Sequence, residues 1–140
     1  MPTARSIVKI ESLASLMGTE YQLATHDKIL FLEDVNEKPY KIDRLLHQLF
    51  MGGLLKGVTA IVLGDFSSDE ALCAARNYLT RIDKPVFYEF PFGHIESVIP
   101  IPIGGRCDIK QDTIVFTLPK KWLLQKRPSS QTQGYFSQSH

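Results

Sequence analysis

Two strand-like runs in this chain end in residues suited to handling protons. Lys28-Ile29-Leu30-Phe31-Leu32 leads into Glu33-Asp34, and Val86-Phe87-Tyr88-Glu89-Phe90 leads into Pro91-Phe92-Gly93-His94. A strand end holds a side chain rigidly, and a carboxylate with an imidazole makes two members of a hydrolytic triad. His94 would take the nucleophile's proton and return it to the leaving amine, which neutral imidazole does near physiological pH. Gly93 beside it leaves room for substrate or another segment to approach. Glu33 would accept the second ring proton and stabilise the imidazolium as it forms. Asp34 and Glu37 compete for that role. Each residue also has a plainer reading, Glu33 as a helix or loop hydrogen-bond acceptor and His94 as a loop histidine bonded to backbone. His26 falls in a turn and His47 off the apolar stripe of its helix, so solvent exposure explains both. His140 has nothing around it to hold a catalytic geometry. Asp43-Arg44 reads as a structural ion pair.

The elements that must position these groups follow from periodicity. Ile10, Leu13, Ala14 and Met17 repeat at helical spacing and stop at Gly18, suited to the left-handed residue that closes a helix. The continuous apolar run Ile29 to Leu32 is that of a strand covered on both faces. Pro39 opens a second helix whose stripe is Ile42, Leu45, Leu46 and Leu49, ended by Gly52-Gly53. Val58 to Leu63 is a second buried strand, and Ser67-x-x-Glu70 offers a capping box for a helix whose inward face is Leu72, Ala75, Leu79 and Ile82. A strand over Val86 to Phe90 follows. Beyond it the chain turns to short strands: Ser97 to Ile103, confined to an edge by Pro100 and Pro102, then a hairpin of Arg106 to Lys110 and Thr113 to Leu118. From Pro128 onward, polar residues without periodicity predict a loose tail. The order predicts a mixed α/β domain with both parallel and antiparallel pairing.

Composition narrows the function. At 140 residues, 44% hydrophobic and 22% charged, the chain fits one domain with a real core. A net charge of +1 from dispersed residues gives no footprint for nucleic acid or an anionic membrane. Lys120-Lys121 and Lys126-Arg127, flanking Trp122-Leu123-Leu124, read as a solvated terminal segment. Cys73 and Cys107 lie far apart with no neighbouring histidine, which suggests neither a metal site nor a disulfide framework; no cofactor is expected. No apolar run reaches spanning length and no signal core follows the N-terminus, so a soluble, cytoplasmic chain is expected.

Phe31-Leu32-Glu33-Asp34-Val35-Asn36-Glu37-Lys38-Pro39-Tyr40-Lys41-Ile42-Asp43-Arg44, then Gly64-Asp65-Phe66 and Pro91-Phe92-Gly93-His94, resembles the C-terminal domain of the LD-carboxypeptidases, serine peptidases related to the microcin-immunity peptidase. The likeness runs from about Leu13 to about Leu118. It implies a swivelling β/β/α-type domain and, in the whole enzyme, removal of the terminal D-alanine from cytoplasmic murein tetrapeptides during cell-wall recycling. By motif, the family's triad glutamate and histidine correspond to Glu33 and His94.

The departures from that pattern are informative. The family's nucleophilic serine belongs to a separate N-terminal domain, in a Gly-x-Ser-Asp turn that these 140 residues lack. Ser6, Ser12, Ser15, Ser67, Ser68 and Ser97 are none of them expected in a strand-to-helix elbow. Where the family carries Gly-Gly-Asn before the first helix, this chain has Ile7-Val8-Lys9, so residues 1–9 are read as non-matching, 10–124 as the domain and 125–140 as disordered. The expectation is a C-terminal half that holds two triad members, acts on a murein peptide only when a serine domain completes it, and is inactive alone. From another class, the fold could serve as a binding module or homodimer through the face left uncovered, or be the remnant of a truncated gene.

Overall fold

The computed structural model describes residues 3–88, 106–110, 113–117 and 135–137. Strands β1 (Thr3–Lys9), β2 (Lys28–Glu33), β3 (Ala60–Leu63) and β4 (Val86–Phe87) alternate with helices α1 (Ile10–Ser15), α2 (Pro39–Met51) and α3 (Asp69–Leu79). Three short strands follow: β5 (Arg106–Lys110), β6 (Thr113–Thr117) and β7 (Tyr135–Ser137). The domain is a mixed α/β fold whose strands lie in the order β4-β3-β2-β1-β5-β6-β7. The pairs from β1 to β4 are parallel, and those from β1 through β5 to β7 are antiparallel.

Each step from β1 to β4 moves one strand in the same direction, so three right-handed crossovers stack their helices on one face. The core confirms this: Leu30 and Leu32 of β2 and Ile61 and Leu63 of β3 cluster with Ile10, Leu13, Ile42, Leu46, Leu49, Ala75 and Leu79 of the helices. The alternate residues Ile29, Phe31, Ala60 and Val62 point to the other face and pack with Cys107 and Ile114. The Phe31 and Phe116 rings lie 5.9 Å apart. Among the described residues, strands β1 and β5 share the pair Thr3 with Arg106. The hairpin contributes Cys107 and Ile114 to the open face of the parallel strands, so β2 is covered from both sides, as its unbroken apolar run predicts.

Helix ends obey local chemistry. Gly18 (φ +77°) follows α1, and Gly53 (φ +81°) follows α2, where Leu54 N donates to Leu49 O at 3.0 Å. At α3 the cap sits one residue later than the capping box predicts. Ser67 is held at φ +62° with its amide donated to Asp65 Oδ1 at 2.9 Å, a conformation unlike the extended one a cap requires. Ser68 is extended (φ −147°, ψ 150°) and its Oγ accepts from Ala71 N at 3.1 Å.

Residues 3–9, expected to precede the matching domain, form β1 in the interior of the sheet, with a bulge between Arg5 and Ile7. Two further expectations are corrected. Strand β3 starts at Ala60 instead of Val58, although Thr59 N already donates to Lys28 O at 2.8 Å beside the start of the ladder. Within the expected loose tail, Tyr135–Ser137 adds to the exposed edge of β6, which offers backbone partners to two aromatic residues of high strand propensity. The hairpin falls where periodicity places it. The expected edge segment Ser97 to Ile103 lies outside the described residues, as do the remainder of the tail and the C-terminal part of the Val86 to Phe90 strand.

Candidate functional site

The parallel strands β1 to β4 all end on one edge of the sheet, where open α/β sheets hold their ligands. Glu33 closes β2 there, opposite Lys9 in the β1 register, and is only 6% exposed. Parity decides what the neighbouring carboxylates face. Asp34 continues the series Leu30, Leu32 toward the helices, and its Oδ2 accepts from Glu11 N at 3.2 Å in the first turn of α1. At 2% exposure Asp34 is a structural acceptor, stabilising a helix start whose amides lack intrahelical partners. Its own amide donates to Asp65 O at 3.1 Å, tying the end of β2 to the end of β3.

Glu37, the third competitor, is engaged by Lys41 one helical turn on, with Nζ 2.8 Å from Glu37 Oε1 and 3.1 Å from Glu11 Oε1. The hydrogen bond that Lys41 donates to Glu37, then that to Glu11, raises the Lys41 pKa above its ordinary value. Two of the three acidic candidates therefore serve the α1–α2 side. Glu33 shares the face of Ile29 and Phe31, the side covered by the antiparallel strands.

The second predicted site residue, His94, lies outside the described residues; Tyr88, the last residue described before it, leaves β4 at the same sheet edge as Glu33. His26 is exposed in its turn, with Nε2 3.4 Å from Asp27 Oδ2. His47 is exposed as expected, and its Nδ1 lies 2.9 Å from the hydroxyl of Tyr78. Burial raises the Tyr78 pKa, and the charge of Asp43 adds to the shift. The expected Asp43–Arg44 ion pair does not form among the described residues. Both side chains are exposed, and adjacent positions on a helix point apart.

Ser67 and Ser68 occupy the connection from β3 to α3, where the capping-box reading puts Ser67. Ser68 Oγ is committed to the helix cap, and Ser67 is exposed on backbone at positive φ. Asn36, after β2, is also at positive φ (+66°), so two non-glycine residues in left-handed conformation mark this edge. The Asn and Ser identities, tolerant of that conformation or of turns, were the available signal. Among the described residues, no group of three His, Cys, Asp or Glu could hold a metal ion, and no helix is long and apolar enough to cross a membrane.

Comparison with known proteins sets this geometry in a family. Residues 9–109 match the family model of the LD-carboxypeptidase C-terminal domain. A probable murein peptide carboxypeptidase of Bacillus subtilis is 35% identical over 104 residues, covering 68% of this chain and 33% of that protein. A putative carboxypeptidase of Rickettsia conorii is 44% identical over 87 residues, covering 61% of this chain and 28% of its own length. The chain thus spans about a third of the length of these curated relatives. Among solved structures, a muramoyltetrapeptide carboxypeptidase from Oxalobacter formigenes superposes with a TM-score of 0.65 at 31% identity, covering 84% of this chain and 41% of that one. Strands β2 to β4, the three helices and the carboxylate-bearing edge described above fall within the matched span, and the chain belongs to the LD-carboxypeptidase family, in the part that forms its C-terminal domain.

Proposed function

We propose that this chain supplies the orienting carboxylate, Glu33, and the general base, His94, of a serine-type carboxypeptidase that removes the terminal D-alanine from murein tetrapeptides in the cytoplasm. The attacking serine comes from a separate domain, and the chain does not turn over substrate without it. The observation that carries this reading is the placement of Glu33: buried at the end of a central parallel strand, on the face away from the helices, at the edge where β4 leads toward His94. Strand β4 is two positions from β2, about 10 Å away, and the six residues from Tyr88 to His94 can span up to about 20 Å, so the imidazole is within reach of the carboxylate.

In this mechanism the serine hydroxyl attacks the carbonyl of the scissile amide as His94 accepts its proton. Glu33 holds the ring in the required tautomer. The tetrahedral intermediate expels D-alanine with the proton returned by His94, and water then releases the acyl group by the same route.

The test joins this chain, mixed or fused, to a serine-bearing domain of the family and measures D-alanine release from a tetrapeptide. The expected result is activity only in the combination, lowered about 10⁴-fold by Glu33→Gln and at least as far by His94→Ala. Full activity with His94→Ala, or turnover by this chain alone that Ser67→Ala abolishes, would overturn the assignment.

A further inference from the structure

Where a turn needs positive φ and nothing more, this chain uses glycine. Gly18 (φ +77°) and Gly53 (φ +81°) both stand in open space, so conformation and not room selects them. Among the described residues three others adopt positive φ: Asp27, Asn36 and Ser67. Asp27 has a neighbour for its side chain in His26, and Ser67 is held through its amide by Asp65. Asn36 is exposed, and among the described residues none hydrogen-bonds its carboxamide. Asparagine tolerates the left-handed region better than most residues, yet glycine would occupy it at less cost.

The place of Asn36 gives that choice a use. It lies three residues after Glu33, in the connection from β2 to α2, at the sheet edge where ligands of open α/β folds bind. Both flanks of this connection are tied down. On one side Asp34 accepts from Glu11 N and donates its own amide to Asp65 O. On the other, Glu37 is held by Lys41, and Lys38 O receives the first amides of α2, from Lys41 and Ile42. A side chain mounted between two fastened ends loses little freedom when it meets a ligand.

We infer that Asn36 is a specificity-determining residue: its carboxamide, donor and acceptor on one short side chain, hydrogen-bonds a peptide group of the substrate lying along this edge beside Glu33. The inference rests on the reading of the substrate as a peptide bound here, and it is independent of His94 acting as the base.

The substitution Asn36→Gly separates the side chain from the turn, because glycine keeps the backbone conformation and removes only the amide. In the chain joined to its serine domain, this variant raises KM for the tetrapeptide about fivefold with kcat within about twofold, the pattern of a hydrogen bond made alike in ground and transition states. The dissociation constant of the tetrapeptide, measured by calorimetry with Glu33→Gln as background so that nothing is turned over, rises by the same factor. The melting temperature stays within about 4 °C of the parent. Unchanged KM and dissociation constant in Asn36→Gly would overturn the inference and leave asparagine as a turn former. A fivefold weaker peptide complex in an enzyme indifferent to His94→Ala would uphold Asn36 and reject His94 as the base.

Discussion

The two faces of the parallel sheet are built by different means. On one, three crossovers deliver α1, α2 and α3 next to the strands they connect, so the core is assembled from neighbours in sequence. On the other, Ile29, Phe31, Ala60 and Val62 meet Cys107, Ile114 and Phe116, which arrive from a hairpin far along the chain. The carboxylates at the end of β2 are divided in the same way. Asp34 faces the helices and is spent on the start of α1, whereas Glu33 faces the side assembled by long-range contacts. Adjacent residues thus face opposite sides of the sheet through strand parity alone.

That contrast breaks most visibly in activity. In the joined enzyme, Glu33→Gln should lower kcat about 10⁴-fold with the melting temperature little altered, while Asp34→Gln should lower stability and leave most of kcat intact. Equal losses of activity in the two variants would erase the distinction between the faces.

Next in size are the packing effects of two neighbours. Phe31→Ala should cost about 3–5 kcal/mol and Leu32→Ala about 2–5 kcal/mol, measured by denaturant unfolding. Hydrogen exchange tells the faces apart. Phe31→Ala should speed exchange in β5 and β6, and Leu32→Ala in the helices, with the reverse pattern counting against the two-sided core.

Removing the acceptor altogether with Asp34→Ala should cost about 1–2 kcal/mol through the lost bond to Glu11 N, again by denaturant unfolding. An unchanged midpoint would deny the carboxylate its role at α1.

The smallest effect at neutral pH belongs to the cysteines. Cys73 is exposed on α3 and should react readily with a thiol reagent, while Cys107, buried between the layers, should react only on unfolding. Burial, then the charge of Asp108, pushes the Cys107 pKa from 9.0 up to about 12. The unfolded chain therefore releases this proton first. The thiol's contribution is fully present below pH 9 and is lost as pH rises toward 12. Cys107→Ala should flatten that alkaline decline relative to the parent, and an identical decline in both would place the titration elsewhere.

Much of the helix-covered side was legible in the sequence because its signals are local: the 3.6-residue stripes of α2 and α3, the glycines after α1 and α2, and the apolar runs of β2 and β3. What escaped depends on distant partners. Thr3-Ala4-Arg5-Ser6 carries little strand character, and it becomes an interior strand because β2 and β5 flank it. Tyr135–Ser137 is likewise a strand only because β6 offers an edge. The choice between Ser67 and Ser68 as the cap turned on a backbone dihedral that two identical residues cannot reveal. At the site, the competition among Glu33, Asp34 and Glu37 was open in composition, and the partners that the structure gives Asp34 and Glu37, the α1 amide and Lys41, are distant in sequence or a helical turn away.

The central claim, that Glu33 and His94 work as one unit, is tested most directly by a double-mutant cycle in the joined enzyme. D-alanine release is measured for Glu33→Gln, His94→Ala and the two combined. The account predicts that the double variant is no slower than His94→Ala alone, because a carboxylate has nothing to orient once the imidazole is gone. Losses that multiply, with each substitution exacting its full cost in the absence of the other residue, would contradict it.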